Sequence, residues 1–389
     1  SHGNQSISLL SQTGNWEGSA VVKPYNLESS HPHTSAYGAT SVVVNTTAID
    51  RDAYEGIRST YFGSVSGGGV GATLYLPSML YNYYGWSTHI YLENTGGTAT
   101  TAWIYYYRPD GSYLNMLTRN LQPLQREYVL PWQFDPYVPV NLIGSAKVIS
   151  SNAQLLAATV VHERGAGYTP MSMEYSVPNA GGQYGFLPSL LRAYWSWTSA
   201  YVLRAANANA SGTTYFYPNG TSWGFNLANG DASQEVYLGN LPTYIVPSGF
   251  HGSGVVAKTG GTGQVVVVGQ HSNDTTAMGL RAPRGGYKEL TMPYINSNGE
   301  TGALTIQNVT PGTSVSVTVR YYNTNGGLVL TYNILSLAYG TSVELLPGSG
   351  VPTGFQGSIW IQASQNNGSL GATVQQSINN DQGYGYSAP

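Results

Sequence analysis

The groups in this sequence that could move a proton or hold a metal are few: seven histidines, eighteen carboxylates and no cysteine in 389 residues. His2, His31, His33, His89, His162, His251 and His271 fall at unrelated places in the repeat that organises the chain, so they predict no shared catalytic position. His31-Pro32-His33 with His2 offers too few ligands for a zinc site. Asp50-Arg51-Asp52 with Glu55 lacks the glycine and the ligand spacing of a calcium loop. No acid pair stands out for glycoside hydrolysis, which needs two carboxylates about 5 to 10 Å apart. Gly67-Gly68-Gly69-Val70-Gly71 has no following Lys-Ser/Thr and reads as a linker rather than a phosphate loop. The expectation is a protein that is not an enzyme and uses no metal or cofactor. Seven Asn-x-Ser/Thr sequons are present, of which Asn219 and Asn367 lie in expected turns and are the glycosylation candidates.

The chemistry on offer is instead that of aromatic surfaces, from 32 tyrosines and eight tryptophans. These residues lie in a phrase of about 105 residues that repeats three times, and such periodicity implies an array of like modules. The copies open at Leu76-Pro77, Leu187-Pro188 and Met292-Pro293. Each passes an aromatic strand ending in Asp110-Gly111, Asn219-Gly220 or Asn325-Gly326. Each then reaches a Gly-Ser strand start, at Gly144-Ser145, Gly252-Ser253 or Gly357-Ser358. A fourth Gly-Ser, Gly18-Ser19, has no matching opening half in front of it.

Short runs rich in Val, Ile, Thr and Tyr, broken every 8 to 12 residues, roughly, by Gly, Asn, Asp or Pro, predict an all-β sandwich. In the third copy Val315, Val317, Val319 and Tyr321 alternate with Ser314, Ser316, Thr318 and Arg320, the pattern of a half-buried strand. The predicted fold is a set of tandem immunoglobulin-like antiparallel β-sandwich modules, three complete and one partial at the N-terminus. The expected boundaries are 1–73 for a half module and connector, 74–182, 183–288 and 289–389. In the first full copy, strands are expected near 87–94, 101–107, 112–119, 125–130, 143–150, 155–162 and 170–176. The N-terminal half module is expected to hold only closing strands, at 7–10, 18–22 and 40–45, followed by a connector over 50–73 with one helical turn near 50–57. Three readings of the half module stand together: its opening half was removed, it belongs to a longer precursor, or another chain supplies the missing strands.

Charged residues make up 8% of the chain and the net charge is −3, against roughly 25% charged in an average soluble protein. The chain has only four lysines (Lys23, Lys147, Lys258, Lys288). Nucleic-acid binding, which needs a basic stripe, is therefore not expected. No apolar run approaches the length of a membrane span. The scarcity of Lys and Glu beside abundant Tyr, Gly, Thr and Asn suggests a secreted, cell-surface protein.

In the first copy Ala102-Trp103-Ile104-Tyr105-Tyr106-Tyr107 is apolar on both faces, and Tyr215-Phe216-Tyr217 in the second is aromatic on both. An isolated sandwich buries one face of each sheet, so two-sided strands predict a second surface against a neighbouring module or subunit. The same logic singles out Tyr83, Trp86, Trp195 and Trp197. Ile7, Leu9 and Trp16 of the half module join them as assembly candidates. Modules 1 and 2 thus look built for contact, and module 3, polar at 294–299, for water.

Leu76-Pro77, Trp86-Ser87-Thr88, Asp110-Gly111, Gly249-Phe250-His251-Gly252-Ser253 and Gly354-Phe355-Gln356-Gly357-Ser358 together resemble tandem immunoglobulin-like repeats in secreted surface proteins of filamentous bacteria. The resemblance covers nearly all of the chain after residue 70. It implies a secreted β-sandwich array. With the two-sided aromatic strands and the half module, the expectation is an extracellular structural protein, a filament, sheath or surface-layer subunit whose partner is other copies of itself. The alternative is a carbohydrate-binding or adhesive array, in which exposed Tyr and Trp stack on sugar rings.

Overall fold

The computed structural model describes residues 45–50, 57–62, 70–130, 138–165, 168–169, 171–298, 301–378 and 382–387. Strands β1 (Asn45–Asp50) and β2 (Ile57–Phe62) form an antiparallel hairpin. Module 1 holds β3 (Val70–Gly71), β4 (Thr73–Tyr81), β5 (Trp86–Asn94), β6 (Thr100–Tyr107), β7 (Tyr113–Leu121), β8 (Arg126–Val129), β9 (Leu142–Ser150), β10 (Leu156–Arg164) and β11 (Met171–Ser176). Module 2 holds β12 (Tyr184–Arg192), β13 (Thr198–Ala206), β14 (Ala210–Tyr217), β15 (Thr221–Leu227), β16 (Ser233–Tyr237), β17 (Phe250–Gly260), β18 (Gln264–Ser272) and β19 (Ala277–Arg281). Module 3 holds β20 (Glu289–Asn296), β21 (Thr301–Asn308), β22 (Val315–Asn323), β23 (Leu328–Leu337), β24 (Ser342–Pro347), β25 (Gly350–Val351), β26 (Gln356–Ala363), β27 (Leu370–Ile378) and β28 (Gln382–Ser387).

Each module is a β-sandwich. Its first sheet runs β4-β9-β6-β7, β12-β17-β14-β15 or β20-β26-β22-β23. Its second sheet runs β11-β10-β5-β8, β16-β13-β18-β19 or β25-β24-β21-β27-β28. One apolar core lies between the two sheets of each module. The seven strands expected in the first copy are all present within two residues of their expected ends. The opening Leu-Pro phrase is an eighth strand that the sequence reading left out. Pro77, Pro188 and Pro293 each sit where the ladder shifts register, between Leu76 and Met79, Leu187 and Leu190, and Met292 and Ile295. A proline has no amide to give a ladder, so it is tolerated where a bulge interrupts the pairing. Pairing of β3 with β10 carries module 1 back to Val70 rather than residue 74.

The expected connector over 50–73 is partly strand, since β2 lies inside it and pairs with β1. That pairing repeats the closing hairpins β10–β11, β18–β19 and β27–β28. Strands β11 and β28 each run beside both β19 and β2, so the closing strands of all four repeats form a ring of neighbours. Gly279 is required where β19 passes β11, because a Cβ there would strike the Glu174 backbone. The expected strands at 7–10 and 18–22 and the candidates Ile7, Leu9 and Trp16 lie outside the described residues. Of the expected strand at 40–45 only Asn45 is described, opening β1, and of the expected turn over 50–57 only its ends, Asp50 and Ile57, both in strands.

Candidate functional site

The repeated Gly-Ser marks the place where one module meets the next. A Cβ on Gly144, Gly252 or Gly357 would collide with the carbonyl oxygen of Tyr107, Tyr217 or Tyr322, so only glycine fits at the strand start. In modules 1 and 2 the serine that follows reaches across to the next module. Ser145 Oγ donates to the Asp231 carbonyl at 3.0 Å, and Ser253 Oγ donates to the Gly340 carbonyl at 2.6 Å. The first sheet of module 1 is thereby covered by the second sheet of module 2, and the first sheet of module 2 by that of module 3.

Arg204 lies at the centre of the first of these contacts, fully buried. Its guanidinium sits 5.1 Å from the Tyr75 ring and 5.7 Å from the Tyr107 ring. Nη2 donates to Asp231 Oδ1 at 2.7 Å, and Lys147 Nζ reaches the same oxygen at 3.1 Å. Burial pulls the Arg204 pKa down, against the opposing pull of the Asp231 carboxylate. Module 3 holds the neutral Gln307 at the equivalent site, donating to the Gly254 and Gly340 carbonyls at 3.1 and 2.9 Å. Tyr217 packs with Tyr339, their centroids 6.4 Å apart, beside Phe186, Val255 and Val309.

This arrangement sorts the aromatic candidates. Tyr107 and Tyr217 take part in contacts between modules of the same chain. Tyr106 and Phe216 point inward and belong to the sandwich cores, because alternate side chains of a strand face opposite sides. Trp103 and Tyr105 are half-buried on the outer side of β6, and Tyr215 is exposed on β14. Trp86 packs against Met171, Met173 and Ala277 beside the ring of closing strands. Asn219 and Asn367 are both exposed in turns.

Module 3 differs from modules 1 and 2 at one sheet edge. The outer edge of its first sheet is β23, whose Leu328, Val329 and Leu335 are 57%, 49% and 86% exposed. The corresponding edge β7 presents Tyr113, Met116, Thr118 and Asn120 outward, and β15 presents Ser222 and Asn226.

The histidines are less scattered than the sequence suggested. His162 and His271 hold one repeat position, each with Nδ1 against a hydroxyl, Thr88 Oγ1 at 2.8 Å or Ser199 Oγ at 2.6 Å. The hydroxyls accept from the Leu80 and Leu191 amides at 2.7 Å. Desolvation lowers both imidazoles to a pKa of about 3, so they are neutral structural groups sealed from solvent.

A cleft of about 570 Å³ opens between modules 2 and 3. Its wall is the hairpin joining β12 to β13, closed by a bridge between Tyr194 and Trp197. The two central residues, Trp195 and Ser196, have φ of 46° and 67°. Such a two-residue turn needs left-handed backbone at both positions, which favours Asn and Gly. A residue with a Cβ pays about 1–2 kcal/mol there. Module 1 holds Tyr84 and Gly85 at the same positions, with φ of 48° and 81°. Trp195 stacks on Tyr194 at 4.9 Å and 21°, and Tyr194 stacks on His251 at 4.5 Å and 19°. His251 Nε2 lies 3.5 Å from Glu344 Oε2. Burial raises the Glu344 pKa, and the histidine beside it opposes the rise.

Among the described residues, no group of three His, Asp or Glu is placed to hold a metal ion. No helix among them is long and apolar enough to cross a membrane. No protein-family model matches the chain, and no curated protein matches it in sequence.

Proposed function

We propose that this is an extracellular structural protein of the cell surface that assembles with copies of itself, and that β23 makes the contact. The observation that carries this reading is the exposed edge of module 3. Strand β23, LVLTYNILSL, is ten residues long, without charge or proline, and pairs on one side only. Edge strands of soluble proteins are ordinarily blunted by charge, proline or shortness, because a bare edge recruits another strand. An edge left apolar is suited to strand addition.

The occupant is a second copy of this chain. First sheets of modules 1 and 2 are already covered by a neighbouring copy of the same repeat, so the fold pairs with itself. Two β23 strands laid antiparallel would join two first sheets into one, satisfy the bare backbone edge and set Leu328, Val329 and Leu335 beside side chains of the partner strand. Such a self-complementary contact closes at a dimer, and growth into a filament or layer takes a second, unlike surface. The N-terminal half repeat is the candidate for it. The low charge of the chain fits close packing of copies, and its composition fits the cell exterior.

Negative-stain imaging of the purified chain across a concentration series tests the reading. Paired or polymeric particles at high concentration support it. Single particles throughout would overturn it.

A further inference from the structure

We propose that the cleft between modules 2 and 3 binds a neutral pyranose unit of a glycan, with Trp195 as the stacking platform. This site is separate from β23 and does not depend on self-assembly.

The first support is the backbone of the hairpin tip. Trp195 and Ser196 occupy left-handed conformations that glycine or asparagine would adopt more readily. A large aromatic held there, 68% exposed, contributes little to the core. Unfavourable backbone that keeps an exposed side chain in place points to a use for that side chain.

The second support is rigidity. The stack Trp195–Tyr194–His251, anchored by Glu344, fixes the indole plane before any ligand arrives. A preorganised platform lowers the entropy lost on binding. A pyranose offers what such a platform accepts, a face of C–H groups and a rim of hydroxyls. Leu191, Met278 and Leu346 supply apolar lining. Asp274, Glu344 and Gln375 supply acceptors and donors for hydroxyls. Gln375 Nε2 is buried with no hydrogen-bond partner among the described residues. The lining has two carboxylates and no lysine or arginine, so its charge disfavours anionic sugars.

The third support is the contrast with the corresponding corner of module 1. There the Tyr168 ring lies against Gly85, and the Arg164 guanidinium stacks over Tyr168 at 4.6 Å. Arg164 Nε also donates to the Tyr84 carbonyl at 3.2 Å. Module 2 has the short turn Asn273-Asp274-Thr275-Thr276 in that place, with no aromatic ring, and the cleft stands open.

The test is calorimetric and tryptophan-fluorescence titration of the full chain with cellohexaose, xylohexaose, chitohexaose, maltohexaose and the anionic tetragalacturonate. At least one neutral oligosaccharide is expected to bind and perturb the fluorescence. Trp195→Ala is expected to weaken that binding about tenfold or more, while Tyr113→Ala, an exposed aromatic on β7, changes it less than about twofold. Sedimentation of Trp195→Ala is expected to match the parent chain, which separates this site from the β23 contact. Failure of every neutral sugar to bind at millimolar concentration overturns the proposal. So does binding unchanged by Trp195→Ala, or a preference for tetragalacturonate.

Discussion

Arg204 and Asp231 meet at 2.7 Å on module 2, in the contact it makes with module 1, with the guanidinium fully buried between Tyr75 and Tyr107. At the equivalent contact of modules 2 and 3, Gln307 faces the Gly340 carbonyl. A buried guanidinium at the first junction is thus replaced by a neutral amide at the same place in the second.

Removing Asp231 tests the energetic weight of this pair. Asp231→Ala leaves Arg204 buried without its closest counter-charge, and breaking a buried pair from one side destabilises by about 3–5 kcal/mol. Chemical denaturation should show a loss of that order. Arg204→Gln, which copies module 3, should lose less once Asp231 is also made Gly. Equal losses in the two variants would contradict the account.

His162 and His271 set an acid limit on stability. Their pKa is lowered to about 3 in the fold, below the ordinary value of 6.5, so protonation favours the unfolded chain. Above pH 6.5 both states are neutral at these sites and the full stability is present. As pH falls from 6.5 toward 3, each histidine removes up to about 1.4 kcal/mol per pH unit. His271→Gln should therefore show a shallower decline in unfolding free energy between pH 6.5 and 4.5 than the parent chain. An unchanged slope would argue against a neutral buried imidazole.

The hairpin tips give a paired prediction. Ser196→Gly relieves left-handed backbone and is expected to stabilise by roughly 0.5–1 kcal/mol. Gly85→Ala in module 1 adds a Cβ against the Tyr168 ring at φ 81° and should destabilise. Thermal unfolding midpoints moving in opposite directions would satisfy the account, and a lower midpoint for Ser196→Gly would contradict it.

Much of this fold was legible in the repeat. Strand alternation such as Val315, Val317, Val319 and Tyr321 depends on local pattern, and all four are buried in the core. Asp110-Gly111, Asn219-Gly220 and Asn325-Gly326 each turn with the glycine at positive φ. The aromatic strands signalled a second buried surface, and Tyr107 and Tyr217 lie in one. The partner for those tyrosines is the next module, however, because the array folds back on itself around the closing strands. That arrangement depends on pairings more than a hundred residues apart, which local periodicity does not encode. The same reason hid the kinship of His162 and His271, visible only once Thr88 and Ser199 were opposite them. Exposure of Leu335 was equally hidden, since a leucine in an alternating strand reads as core. The hairpin at Trp195 carried one usable signal: Tyr-Trp-Ser-Trp where a two-residue turn would favour Asn-Gly.

The most direct test of the central claim is sedimentation velocity over a concentration series, comparing the parent chain with a Val329→Lys, Leu335→Lys variant. Both substitutions fall on exposed positions of β23, so folding should be retained, which circular dichroism would verify. The account predicts a parent chain whose sedimentation coefficient rises with concentration and a variant that stays monomeric. A parent chain that is monomeric at every concentration, or a variant that associates equally well, would contradict it.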